Sequence, residues 1–332
     1  MKGHPPQSAT FARLTDAKKW IQDTESAIRE GRYFKKAEAR KKTLHQLIER
    51  YKETVLPTKP RSAYEQRYQL DWWDDELGDY FLVDVTPAVV SEAKDRLLRT
   101  KSKQGKQLSP STVVRYMAAL SHAFTVATKE WQWVDENPFR NVSRPKEPRG
   151  RVRFLEKAEI QNLRDACRES SSPFLETIFV ISISTGMRKG EILGLKWDEV
   201  DLSRKMIYIN DPKNGQRRAV PLTGDALTLM RQLTKVRYLN TDLVFPGVRK
   251  RDKPAKIDNH WAKALEEAGI ENYRFHDNRH TAASYLAMNG ASLSEIAEIL
   301  GHKTLSMVQR YAHLSEAHTA KVVSRMNKAI FD

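Results

Sequence analysis

Beyond residue 185 the chain carries polar side chains where a packed core would not want them. In TGMRKGEILGLKW, Arg188 opens a helical pattern just after a Thr-Gly break, and Glu191 three residues on shares its face. By itself that pair reads as an exposed ion pair. In FHDNRHT, His276, Arg279 and His280 stand three and four residues apart on one side of a helix. Two histidines invite a metal, but Arg279 repels a cation and no carboxylate completes the spacing of a zinc helix, so an anion is the better guest. His302 follows an apolar helix through a glycine break in EILGHKT, and Tyr311 comes nine residues later in MVQRYAHL. Taken singly, Tyr311 reads as a half-buried helix tyrosine and His302 as a turn residue.

Together with Lys213 on a hairpin, these residues form the set that a phosphodiester transesterification needs. The negative charge of a phosphodiester grows in the pentavalent transition state, and planar guanidinium groups match its two non-bridging oxygens. A tyrosine can attack phosphorus and hold the phosphate as an ester, which conserves the bond energy without ATP. A lysine at a hairpin turn can deliver a proton to the leaving 5′ oxygen.

The elements that must position these groups are mostly helices. Apolar spacing in the last domain predicts helices at about 156–168, 173–184, 188–196, 224–236, 258–268, 276–288, 293–300 and 305–312. MIYIN, the turn DPKNGQ and RRAVPL read as a β-hairpin turning at Asn214-Gly215. Upstream, 60–142 reads as a bundle of about four helices, two of them started by Thr86-Pro87 and Ser109-Pro110. A helix over Thr15–Glu30 with Thr15 as N-cap and another over 36–54 precede it. The stretch RPKEPRG, with two prolines, four charges and a glycine, reads as an exposed linker.

Composition bounds the partners. The 332 residues suit two or three domains, and 57 basic against 42 acidic residues leave +15 with a pI near 9.7, which points to a polyanion. No apolar run is long enough to span a bilayer and the amino terminus lacks a signal-peptide core, so a soluble, cytoplasmic protein is expected. The single cysteine, Cys167, allows no internal disulfide and reads as a small apolar helix residue.

In order and spacing, TGMRKGE, PKNGQRRAVPL, HDNRH, LGHKT and QRYAHL resemble the tyrosine recombinases, also called phage integrases. The resemblance implies Arg188 and Arg279 as an arginine clamp, Lys213 as general acid, and His276 as a base or proton donor near the nucleophile. It implies His302 as transition-state support, Tyr311 as nucleophile and Glu191 as the acid that orients the site. The family usually carries Leu where this chain has Asn278; an asparagine there needs a hydrogen-bond partner or costs about 1 to 3 kcal/mol.

The resemblance further implies a mainly α fold with a small β-hairpin or sheet. It divides the chain into a reduced arm-type segment at 1–55, a helical core-binding DNA domain at 56–146 and a catalytic domain at 150–332. Lys101, Lys103, Thr112 and Arg115 are the expected DNA contacts in the second. The implied activity is site-specific recombination of a mobile element through a 3′-phosphotyrosine and a Holliday junction. The expected partners are double-stranded DNA with specific sites, a homotetramer on that DNA, and excisionase and DNA-bending proteins, with no cofactor, metal or membrane. The apolar residues of the tail, Val322, Val323, Met326 and Ile330, suit packing on a neighbouring protomer or on their own domain. A chromosome-dimer resolvase, a type IB topoisomerase and a DNA-binding regulator without catalysis are the rival readings.

Overall fold

Three helices of the amino-terminal half start where a short hydroxyl side chain takes backbone N–H groups that a first turn leaves free. A computed structural model describes residues 9–29, 38–102, 105–148, 153–211, 216–302 and 304–331. Its first helices are α1 (Leu14–Arg29), α2 (Leu44–Thr54), α3 (Ala63–Leu77), α4 (Pro87–Arg99) and α5 (Pro110–Lys129). Thr43 and Gln46 form a reciprocal capping box at α2, Thr86 caps α4 and Ser109 caps α5, with Pro87 and Pro110 in the first turns. The helix expected over 36–54 is therefore interrupted: 38–39 are helical, but a new helix starts at Leu44 because Thr43 is extended and bridges Phe81. Helix α1 begins at Leu14, so Thr15 lies inside its first turn and does not cap it.

The chain separates into two units, Met1–Arg149 and Gly150–Asp332. The boundary expected at 55/56 is not a structural one. Leu44, Leu47, Ile48 and Tyr51 of α2 are buried in one core with Leu70, Trp73, Val90, Leu120 and Phe124. Burying an apolar stripe needs an opposing surface, and α2 finds it on α3 and α5. Among the described side chains, residues 9–26 contribute nothing to that core.

The second unit is built on α6 (Lys157–Glu169), α7 (Leu175–Thr185) and the short α8 (Lys189–Leu193). A small antiparallel sheet follows, with strands β1 (Val200–Asp201), β2 (Met206–Asp211) and β3 (Gln216–Pro221) in that order. Ile207 pairs with Val220 and Ile209 with Arg218. Strand β1 was not expected from the sequence; two residues are too few for a period-2 pattern to show. Then come α9 (Gly224–Thr234), α10 (Asp258–Glu267), α11 (Asp277–Met288), α12 (Leu293–Leu300) and α13 (Glu316–Phe331). The fold is thus mainly helical with one small sheet, and among the described residues no helix is long and apolar enough to cross a membrane.

Helix α7 is buried along most of its length, at Leu175, Ile178, Phe179, Val180 and Ile181, and it packs against α6, α9 and α11. The helix expected at 305–312 is instead a pair of tight 3-10 turns, Leu305–Met307 and Gln309–Ser315. Val308, Tyr311 and Leu314 are three apart, and in a 3-10 turn residues at that spacing line up, so all three face the core against α11 and α12.

Asn278 of α11 is fully buried, and its partners are present. The Tyr273 hydroxyl donates to Asn278 Oδ1 at 2.8 Å, and Asn278 Nδ2 donates to Ser182 Oγ at 2.8 Å. Ser182 Oγ passes its own proton to the Phe179 carbonyl at 2.7 Å. At the other end, Thr281 Oγ1 lies 2.8 Å from the Tyr273 hydroxyl and accepts the Leu155 N–H at 3.2 Å. The relay ties α7, α11 and the segment before α6 together in one satisfied network. Asn278→Leu therefore takes one partner from each of the Tyr273 and Ser182 hydroxyls, which keep Thr281 Oγ1 and the Phe179 carbonyl, and urea unfolding is expected to show a loss of roughly 1 to 3 kcal/mol. Adding Ser182→Ala and Tyr273→Phe removes the hydroxyls left facing the leucine and recovers part of that loss; a fully stable single variant would contradict the network.

Candidate active site

Arg188 stands just before α8, in extended conformation, and Glu191 occupies the third position of that helix. Glu191 Oε2 accepts the Arg188 backbone N–H at 2.8 Å, while Oε1 accepts Arg188 Nη1 at 2.7 Å. The i,i+3 pair read from the sequence is therefore real, and it is part-buried, mostly on the glutamate's side. A third group completes it: Arg218 of β3 reaches Glu191 through Nη2 at 2.8 Å and Nη1 at 3.3 Å. Burial would raise the Glu191 carboxyl, but the Arg188 backbone N–H and the Arg218 and Arg188 guanidiniums outweigh it and hold the group below its ordinary range. Sequence reasoning missed Arg218. Its signal is an arginine on the strand face that Val220 and Leu222 bury, two and four residues on.

Two glycines make the arginine sites possible. Gly301 ends α12 in the left-handed conformation, and its carbonyl accepts Arg188 Nη2 at 3.3 Å. A Cβ on it would lie 2.3 Å from Arg218 Nη1, so both its backbone and the arginine packed on it require glycine. Gly186 ends α7 in the same conformation, and its carbonyl accepts Arg279 Nη1 at 2.7 Å. Each carbonyl lies at a helix C-terminus, the end that attracts cations.

Arg279, in the first turn of α11, is 4% exposed. Burial first, then Arg188 and Arg218, bring its guanidinium down to about 10, still charged at neutral pH. Arg279 Nη2, Arg218 Nε and His302 Nδ1 are buried without a hydrogen-bond partner among the described residues. Leaving such groups unpaired costs roughly 1 to 3 kcal/mol each, and in a native site that asks for a ligand to satisfy them. His302 follows Gly301 with its N–H bonded to the Ala297 carbonyl, so the turn that ends α12 aims the imidazole. Burial, then Arg279 and Arg188, push it down to about 4, which leaves the ring neutral.

Tyr311 is 1% exposed, its ring packed among Ala283, Ala287, Ile296 and Leu300. Its hydroxyl is hydrogen-bonded to His280 Nδ1, not to His276. His276 is at the surface, with its ring 5.6 Å from that of His280. Burial raises the Tyr311 phenol, and Arg310 and Arg279 pull it back in part. Burial also pushes His280 down to about 4, helped by His276. The arrangement is a cationic site with a phenol, two neutral imidazoles and unsatisfied donors, suited to bind an oxyanion and attack it.

Lys213 and Lys103 lie outside the described residues. Lys101 is in a short bridge with Gln107, Thr112 supports the cap of α5, and Arg115 is exposed on α5. His45, Glu49 and Asp74 bring metal-ligand types within 4.8 Å of one another in the first unit, but Glu49 already holds Lys52 at 2.7 Å. Cys167 is buried and its thiol is pushed up to about 12, so it is no nucleophile.

Because Glu191 is held below its ordinary 4.5, its contribution to stability is present above that pH and is lost as pH falls through its folded value. Arg218→Gln is expected to cost roughly 1 to 3 kcal/mol near pH 7, and the gap from wild type should narrow below about pH 4.5 in thermal unfolding. A gap that is constant with pH would mean that Arg218 acts through packing alone.

Residues 153–318, the span that holds Arg188, Glu191, His276, Arg279, His302 and Tyr311, match the phage integrase family. The chain is 32% identical over 294 residues to the integrase of Salmonella phage P22, covering 78% of this chain and 73% of that one. It is 30% identical over 284 residues to a shufflon-specific DNA recombinase of Escherichia coli, covering 83% and 70%. Its fold is shared with a lambda integrase solved as a tetramer bound to a Holliday junction, at a TM-score of 0.65 and 21% identity over 82% of this chain and 78% of that one. A match over half its length and relatives at this identity place the chain in the phage integrase family, the tyrosine recombinases, enzymes that cleave and rejoin DNA.

Proposed function

We propose that the chain is a site-specific recombinase of a mobile element in which Tyr311 is the nucleophile. The observation that carries this is a single site where the Tyr311 phenol, three arginines and buried donors without partners come together. The Tyr311 oxygen attacks the scissile phosphate to form a 3′-phosphotyrosyl ester, and the 5′ oxygen leaves with a proton from Lys213. Arg188 and Arg279 hold the non-bridging oxygens as their charge grows, with His302 as a further donor and His276 at the rim. Glu191, shared by Arg188 and Arg218, orients the clamp. No metal or nucleotide takes part.

Exchange between two duplexes takes two rounds of cleavage through a four-way junction, and so four protomers; the lambda integrase tetramer on a Holliday junction supports this reading. On α13, Val322, Val323, Met326 and Ile330 are exposed, which suits packing on a neighbouring protomer. In the first unit, Arg115 shares an open concave surface with Lys59, Arg61 and His122, which serves phosphate contact together with Lys101, Lys103 and Thr112. Excisionase and DNA-bending proteins complete the assembly, and the work is done on the nucleoid.

A duplex nicked near the cleavage site traps the covalent step. Wild type is expected to give a protein-DNA adduct and Tyr311→Phe none; no adduct from either with any site sinks the enzyme reading. Lys213→Ala should slow cleavage about 10²- to 10⁴-fold with near-normal DNA binding. Joining of two sites, against relaxation of one supercoiled plasmid, separates a recombinase from a topoisomerase. For Lys59→Ala and Arg115→Ala, binding should weaken alike on all sequences, with the salt slope falling by about 1 for each.

A further inference from the structure

With Tyr311 read as the nucleophile, something must take the phenol proton as the oxygen attacks, and that reading assigned no residue in contact with it. Among the described residues, His280 is the side chain hydrogen-bonded to the Tyr311 hydroxyl, through Nδ1. The two rings lie 6.0 Å apart and tilted by 45°. His280 is in the first turn of α11, next to Arg279, so the helix that delivers an arginine to the phosphate also delivers an imidazole to the nucleophile. Tyr311 is held from its other side by the apolar faces of α11 and α12, which leaves the hydroxyl facing that nitrogen.

We propose that His280 is the general base for Tyr311 in cleavage and returns the proton to it in rejoining. This rests on the reading of Tyr311 above. In cleavage the Tyr311 O–H proton passes to Nδ1 of the neutral imidazole, the phenolic oxygen bonds to phosphorus, the bond to the 5′ oxygen breaks, and Lys213 protonates that oxygen. In rejoining the 5′ hydroxyl gives its proton to Lys213 and attacks phosphorus, and the leaving phenolate takes its proton back from His280. Each proton returns to its origin, and no co-reactant is needed.

The surroundings favour an acceptor. Burial, with His276, Arg310 and Arg279 as neighbouring cations or potential cations, keeps His280 neutral, so the Nδ1 lone pair is free to accept at working pH. Asp277 acts in the opposite direction. A phosphodiester held by Arg279 and Arg188 cancels part of that positive field, which raises the proton affinity of His280 when the attack begins. His276, for which the resemblance implied the base, makes no hydrogen bond to Tyr311 among the described residues.

The test uses the full chain and a nicked duplex selected by wild type, as covalent adduct, from a random-sequence pool. The duplex is made twice, with an ordinary scissile phosphate and with a bridging 5′-phosphorothiolate, whose thiolate leaves without a proton. His280→Ala is expected to slow cleavage about 10²- to 10⁴-fold on both duplexes. Lys213→Ala should be slow on the first and restored on the second. His280→Asn, which keeps a hydrogen-bonding atom near Nδ1 but takes up no proton, should stay slow on both, and folding is checked by unchanged DNA binding. Wild-type or faster cleavage by His280→Ala, full activity of His280→Asn, or rescue of either by the phosphorothiolate would overturn the assignment. If wild type selects no adduct at all, the nucleophile reading has failed instead.

Discussion

Burial of like charge is the constraint around which the catalytic unit is organised. Arg188, Arg218 and Arg279 converge, and one carboxylate, Glu191, answers them. Like charges brought out of water repel strongly, and such a cluster survives only if fixed dipoles and hydrogen bonds share the load. Here two helix ends supply them. The left-handed glycines that end α7 and α12 turn their carbonyls toward Arg279 and Arg188, and each belongs to a helix whose far end is anchored in the core. Displacing either helix would misplace an arginine, so the packing of the unit and the geometry of its site are one problem.

Burial and this positive field together set the protonation of the groups nearby. Burial first, then neighbouring positive charge, keeps His302 and His280 neutral, and Arg310 and Arg279 draw Tyr311 back in part against burial. A site prepared in this way holds attraction for an oxyanion before one arrives, which is the arrangement that stabilises a growing negative charge without reorganisation. The polar atoms left without partners among the described residues, on Arg279, Arg218 and His302, are the local sign of that preparation.

The first unit meets a different demand. Its core is sealed by rings, with Trp73 against Trp72 and Phe139, and most of its charged residues stay outside; the buried Lys52 and Lys94 each meet a carboxylate, Asp71 and Asp95. Arg50 stacks over both Trp131 and Trp133, at 4.5 and 4.8 Å, which covers apolar surface while keeping the charge wet. The net +15 is therefore distributed in two ways: a few buried charges held in fixed geometry, and many solvated ones that attract a polyanion without reading it.

Spacing along the chain was enough to place Arg188 with Glu191, and His276, Arg279 and His280 on one helical face, because a helix turn brings together residues three and four apart. Helix starts at Thr86-Pro87 and Ser109-Pro110 were equally local, since a cap is made within four residues. Tertiary packing decided the rest. Arg218 joins Glu191 across 27 positions and His280 joins Tyr311 across 31, and no local period records such distances. Whether Asn278 was a defect depended on Tyr273 and Ser182, which reach it from a loop and another helix. The turn that carries Tyr311 became 3-10 and not α because three side chains at a spacing of three found one core to enter. Sequence alone determined which groups each element carries; packing determined which of them meet, since burial joins whatever the elements bring to a common face.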